Sequence, residues 1–200
     1  MIEPTQYKPI GQEDITYFQE LLGSDRVEVG ASISHDYGHD EMTPEDLRKM
    51  PDVMLYVKNA QEVSKVLKYC NDHKIPITPR GQGTGLVGGC VPLYGGVLLN
   101  MTMMNRILEL DEKNLTMTVE PGAIIMEIRA YADRFGLFYA PMPGEQSASI
   151  GGNISTNAGG MTAIKYGVTR EWVEGLEVVL PNGEIMDLGE IGRASCRERV

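Results

Sequence analysis

The chain has 200 residues, 42% of them apolar, and a formal charge of −10. That composition supports one substantial core or two small lobes, and it excludes disordered and collagen-like chains. The acidic balance and the lack of clustered Lys and Arg argue against nucleic acid as a partner. No basic-then-apolar leader follows Met1, and no apolar run approaches the ~20 residues that cross a bilayer, so no transmembrane segment and a cytoplasmic location are expected.

Ile15, Phe18, Leu21 and Leu22 recur at helical spacing over residues 12–22, and Gly23 supplies a stop. In "SHDYGHD", His35 and His39 stand among acids, but no helix or strand period brings them to one point. A solvated or capping loop is expected rather than a metal site. Thr43, Pro44, Glu45 and Asp46 read as the cap and first turn of a short second helix ending before Pro51. Residues 1–50 are thus read as a helical lead-in.

"VMLYV" (53–57) is an apolar run suited to a strand buried on both faces. Asn59 with Glu62 opens a helix whose inner face is Val63, Val66, Leu67 and Cys70. "IPIT" (75–78) and "GVLLNM" (96–101) complete a β-α-β unit, a loop and a strand, which predicts a small parallel sheet. "RILELDEKNLTMTVEPG" then alternates as an antiparallel hairpin turning at 112–114. Ile124, Ile128, Tyr131, Ala132 and Phe135 form a helical stripe closed by Gly136. The last strands, "VEGLEVVL" and "EIMDLG", hinge on Asn182 and Gly183, which are expected to supply the positive φ angles of a tight turn. The fold class is α+β, with a parallel lobe at 51–102 and an antiparallel lobe with helices at 103–190.

The final ten residues, "IGRASCRERV", add three Arg and one Glu to an acidic chain and correspond to one reading frame of a common sequencing adapter. Residues 191–200 are therefore read as non-native, and Cys196 as without meaning. Cys70 and Cys90 remain, too few and too far apart for a disulfide framework or a C-x-x-C site.

"PRGQGTGLVGG" (79–89) contains G-x-G-x-x-G at Gly83, Gly85 and Gly88. A dinucleotide fingerprint of the Rossmann kind needs a strand feeding directly into a helix. Here Pro92, Gly95 and Gly96 would break that helix within two turns, and Glu109 belongs to an alternating strand. No Gly-Lys-Ser/Thr follows, which removes the P-loop. A glycine-rich loop between two strands can still let successive N–H groups converge on an anion, with Arg80 adding charge. "SIGGNISTNAGG" (149–160) is a second glycine stretch whose only large polar groups are the amides of Asn153 and Asn157. Close approach of backbone to a flat or phosphorylated ligand follows from that composition.

These two motifs, with "KYGVTREWVEGLEVVLPNGE" (165–184), resemble flavoproteins of the vanillyl-alcohol oxidase and p-cresol methylhydroxylase (PCMH) type, in the branch that holds glycolate oxidase and D-lactate dehydrogenase. The resemblance spans about residues 30–190 and implies a PCMH-type FAD-binding domain of two subdomains with the cofactor extended between them. By that resemblance Arg80, Gly81, Gln82, Gly83, Thr84, Gly85 and Leu86 surround the FAD pyrophosphate. Ser149, Gly151, Gly152, Asn153, Asn157, Ala158 and Gly159 line the flavin side and the diphosphate. Val178 meets the adenine end, and Tyr166 with Gly167 closes over the cofactor. Thr84 stands where some members carry a flavin-linked histidine, so noncovalent FAD is expected. Pro141, Met142 and Pro143 replace the more usual Pro-Asp-Pro beside the flavin, with Pro143 retained as a cofactor contact.

The implied activity is oxidation of a small 2-hydroxy acid, D-lactate or glycolate, with electrons passed on to an iron–sulfur subunit, an electron-transferring flavoprotein, quinone or oxygen. The resemblance assigns the substrate and base residues to a C-terminal domain beyond this chain, so no catalytic residue is named and the fragment is expected to be inactive alone. Two other readings stand beside it. One is a stand-alone flavin- or nucleotide-binding module; the other is a PCMH-type oxidoreductase of another substrate, such as a sugar or a cell-wall precursor.

Overall fold

The computed structural model describes residues 7–189, and the tail read as non-native lies outside them. The chain divides into two compact units. One runs to Met103 and takes back Val179–Ile185; the other comprises Met104–Val178 and the chain from Met186.

The first unit is built on a four-stranded sheet in the order β1 (Val27–Val29), β2 (Val53–Tyr56), β4 (Val97–Asn100), β3 (Ile77–Arg80). β2 and β3 both run parallel to β4. β1 pairs antiparallel to β2, with Val27 opposite Leu55, so the expected helical lead-in also contributes an edge strand. The third strand begins two residues later than "IPIT" suggests and includes Pro79. Proline cannot donate to a ladder, and β3 lies at the sheet edge, where that loss is tolerated. Val53, Met54, Leu55, Val97 and Leu98 are fully buried, as a strand covered on both faces requires.

Helix α1 (Gln12–Leu22) packs against β1, β2 and helix α2 (Ala60–His73). Asn59 caps α2 by accepting the Glu62 N–H at 2.9 Å. Glu62 does not complete a reciprocal box; its carboxylate takes the Lys58 N–H and a two-armed ion pair from Arg26. The helix expected after Thr43 is only a single turn of 3₁₀ helix, Glu45–Leu47. Thr43 does not cap it, because its hydroxyl donates to Asp40 instead.

Asp14 anchors the start of α1. Its fully buried carboxylate accepts the Gly11 N–H (2.8 Å), the Tyr69 hydroxyl (2.8 Å) and the Lys8 ammonium (2.9 Å). Burial alone pushes its pKa up, but the bonds from Gly11, Lys8 and Tyr69 outweigh burial and hold it below the usual carboxylate value. A depressed folded pKa stabilises the fold above the unfolded value of about 3.9, and that stabilisation is lost as pH falls through the folded value. Acid unfolding of Asp14→Asn, followed by circular dichroism, should therefore fall off less steeply below about pH 4 than that of the parent chain. Parallel acid limbs would remove Asp14 from this role.

The second unit holds the hairpin β5 (Ile107–Asp111) and β6 (Thr116–Val119), with a bulge between Ile107 and Glu109. Asp111 closes its turn by accepting the N–H groups of Lys113 and Asn114. Helix α3 (Ile125–Asp133) buries Ile125, Ile128 and Ala132, while Phe135 is exposed rather than part of the stripe. Gly136 leaves α3 at φ +70°. The core of this unit is Ala123, Ile125, Ile128 and Ile150, with Met117, Val119, Tyr139 and Ile154 packed around it. The final hairpin is β7 (Leu176–Val179) with β8 (Ile185–Leu188). Its turn is closed by Gly183 N–H to the Leu180 carbonyl, and only Gly183 has positive φ, not Asn182. Among the described residues no helix is long and apolar enough to cross a membrane.

Candidate functional site: two glycine segments

In the first unit β3 ends on Arg80, and residues 81–96 form an extended loop with no helix before β4. The strand–helix geometry that a Rossmann pyrophosphate site needs is therefore missing from this loop. Gly83 and Gly88 take φ of +77° and +73°, the left-handed region that glycine enters without penalty. Among the described residues, none of the N–H groups of residues 81–87 donates to a protein acceptor. A run of free, consecutive amides is the arrangement that gathers around an anion.

The Arg80 side chain lies against Gly83 at the start of those amides. Its guanidinium is almost wholly buried, donates to the carbonyls of His39 (2.7 Å) and Asp36 (3.0 Å), and lies over the Tyr37 ring. Among the described residues its Nε has no partner. Arg80 thus ties the loop root to residues 36–39, and a Cβ on Gly83 would fall on the guanidinium. Gly81, Gly83, Thr84 and Gly85 are half-buried, whereas Gln82 and Leu86 are exposed. Leu86 and Val87 border an apolar groove of about 300 Å³ that also touches Met42, Leu47 and Leu93.

Sequence reasoning did not single out Asp40, which was expected in a solvated or capping loop. It is 3% exposed, and its Oδ2 accepts the Gly88 N–H at 2.6 Å. Oδ1 takes the Met42 N–H at 3.1 Å and the Thr43 hydroxyl. Its only local signal is the Asp-x-x-Thr spacing of a turn; the bond to Gly88 spans 48 positions and leaves no trace in the pattern.

The second glycine segment lies in the other unit and is largely helical. Ser149 is the N-cap residue of α4 (Ile150–Thr156), and Asn157 ends the helix at φ +51°. Gly151 is required by contact: its N–H donates to the Pro121 carbonyl, and a Cβ there would come within 2.9 Å of Pro121. Asn153 is 4% exposed, and among the described residues its Nδ2 has no acceptor. Asn157 accepts the Arg170 N–H, and the Ala158 carbonyl takes both the backbone N–H and the hydroxyl of Thr169. A Cβ on Gly159 would press on Val168, and one on Gly160 would fall on the Met142 carbonyl beside Pro143, which is buried. Tyr166 ends the short helix α5 (Ala163–Tyr166), its carbonyl accepting the Trp172 indole N–H, and Gly167 follows at φ +78°. Val178 is half-buried on β7.

Residues 51–189 match the family described as FAD binding domain. The chain belongs to that family. It is 45% identical over 184 residues to the D-lactate dehydrogenase of Anaerostipes hadrus, covering 92% of this chain and 38% of that protein. It is 48% identical over 154 residues to the glycolate oxidase subunit GlcD of Bacillus subtilis, covering 76% and 32%. Among solved structures, p-cresol methylhydroxylase with substrate bound superposes with a TM-score of 0.78 at 28% identity, over 94% of this chain and 38% of that one. An alkyldihydroxyacetonephosphate synthase, at 18% identity and a TM-score of 0.80, shares the fold. The α+β architecture is that of PCMH-type FAD-binding domains, and the cofactor of this FAD binding domain is FAD. The chain spans about a third of the length of these relatives.

The residues present fit that cofactor. Among the described residues, the first segment, taken by itself, has consecutive free amides suited to a diphosphate; the second, taken by itself, has a buried Asn153 amide without an acceptor, near Gly151, where a Cβ would come within 2.9 Å of Pro121.

Proposed function

We propose that this chain is the FAD-binding portion of an oxidoreductase acting on a small 2-hydroxy acid of the D-lactate or glycolate type. The observation that carries the cofactor half of the reading is the run of unpartnered amides at 81–87, held open by the positive φ of Gly83 and Gly88. The 45% and 48% identities to a D-lactate dehydrogenase and a glycolate oxidase subunit support the substrate class. FAD held by these residues would supply the redox chemistry, with flavin N5 as the hydride acceptor for the α-carbon of the acid.

The parts proposed for this chain are binding and orientation. Gly81, Gln82, Gly83, Thr84, Gly85 and Leu86 hold the diphosphate through backbone N–H groups. Ser149, Gly151, Gly152, Asn153 and residues 157–159 line the ring side, with Pro143, Tyr166 and Gly167 beside them and Val178 at the adenine. Arg80, whose guanidinium lies against Gly83, anchors the loop root and adds its positive charge beside the diphosphate. Thr84 offers no ring nitrogen for a flavin bond, which supports noncovalent binding. No residue of this chain is assigned as the base. The proposal includes a cytoplasmic location and a protein electron acceptor, an iron–sulfur subunit or an electron-transferring flavoprotein.

The purified chain should show flavin absorption bands, with fluorescence released into the supernatant on denaturation. A folded protein that stays colourless and takes up no added FAD would overturn the reading. Flavin that remains with the denatured polypeptide would overturn the noncovalent part alone.

A further inference from the structure

A buried carboxylate beneath a loop proposed to hold an anion is an electrostatic oddity, since two negative groups repel. Asp40 resolves it through its donors. Burial by itself pushes the Asp40 pKa up, yet the hydrogen bonds from Thr43, Gly88 and Met42 prevail, and the carboxyl sits below the usual range. Its charge is thus met by three N–H and O–H groups of the protein.

Those bonds have a geometric consequence. Gly88 closes the segment of free amides, and its N–H is the one held by a side chain. Three residues earlier, the Gly85 carbonyl accepts the Glu41 N–H at 3.2 Å, so that peptide is turned with its oxygen toward residue 41. At the other end Arg80 grips the carbonyls of Asp36 and His39. Residues 36–43 therefore buttress both ends of the loop, although they precede the 51–189 segment matched by the family.

We infer that Asp40 is a positioning residue for the cofactor diphosphate: by fixing the Gly88 N–H it holds residues 81–87 with their amides free to converge on the anion. The inference rests on the FAD-binding reading above. A carboxylate has lone pairs enough for all three donors, whereas the single amide oxygen of asparagine cannot serve both sides.

Asp52 provides the control. Its Oδ2 accepts the Gly96 N–H at 2.7 Å, the same kind of contact in the same unit but outside residues 81–88. The experiment compares the parent chain, Asp40→Asn and Asp52→Asn by titration with FAD, ADP and riboflavin, and by amide hydrogen exchange across residues 81–89. Asp40→Asn should weaken FAD and ADP together by about ten- to a hundredfold, the range expected for losing a charge-assisted bond. Riboflavin, which has no diphosphate, should bind as before, and loop amides should exchange faster. Asp52→Asn should change none of these.

A parent chain that binds FAD while Asp40→Asn binds it equally well overturns the inference and leaves the function standing. Equal losses for riboflavin and FAD also overturn it, as they mark general unfolding of the site. A parent chain that takes up no FAD overturns the reading of function itself. Should Asp40→Asn fail to fold, Thr43→Val removes one orienting donor and must show the same diphosphate-selective loss on a smaller scale.

Discussion

Gly83→Val is expected to raise the Kd for FAD about fiftyfold. Gly83 sits at φ +77°, where an L-residue costs about 1–2 kcal/mol and a β-branched one is worse. The new Cβ would also fall on the Arg80 guanidinium. A free arginine would swing aside, but this one is bonded to two carbonyls and stacked over Tyr37. Moving it forfeits about 1–2 kcal/mol of charge-assisted bonding. The two costs together come to about 2–4 kcal/mol, and as 1.4 kcal/mol is a factor of ten, about fiftyfold lies at the lower end of that range. Fluorescence titration with FAD measures it, and a Kd within threefold of the parent value would show that residues 81–87 do not grip the cofactor.

Phe18→Ala should destabilise the first unit by about 3–5 kcal/mol, the range for emptying a buried phenylalanine site. Phe18 is fully buried on α1, edge-on to Tyr69 with ring centroids 5.4 Å apart and to Tyr17 at 5.7 Å. Tyr69 is also stacked between Tyr17 and His73 and bonded to Asp14, so the cavity cannot collapse without breaking those contacts. Against a total stability of about 5–15 kcal/mol the loss is a large fraction. Urea unfolding should show a lower midpoint with an unchanged slope. A shift below about 1 kcal/mol would mean that α1 does not depend on this ring.

The sequence made the glycine loop legible because its requirement is local. Positive φ at Gly83 and Gly88, and Pro92, Gly95 and Gly96 downstream, forbid a helix whatever surrounds them. Helix α2 was equally readable, since Asn59 caps it from three residues away. Helix α4 was not. Two glycines and a run of small or β-branched residues argue against a helix, and what holds it is tertiary: Gly151 against Pro121, and Ile150 in the core. The turn at Glu45–Leu47 fell short of a helix because Thr43 was drawn to Asp40 instead of capping it. The bonds of Asp40 and Arg80 share one cause, in that their partners lie 48, 41 and 44 positions off and no periodicity reports them.

The return of Val179–Ile185 to the first unit bears on biosynthesis. Ser64 of α2 donates its hydroxyl to the Gly183 carbonyl across a sequence separation of 119 residues. At about 5–20 residues per second, a ribosome needs on the order of 6–24 s to deliver that partner. During this interval most of the second unit emerges, while the first waits with one seam open. Chaperone engagement and slow nascent-chain closure should concentrate on that seam, and a stop codon placed just before residue 179 should cost the first unit more than its distance along the chain suggests.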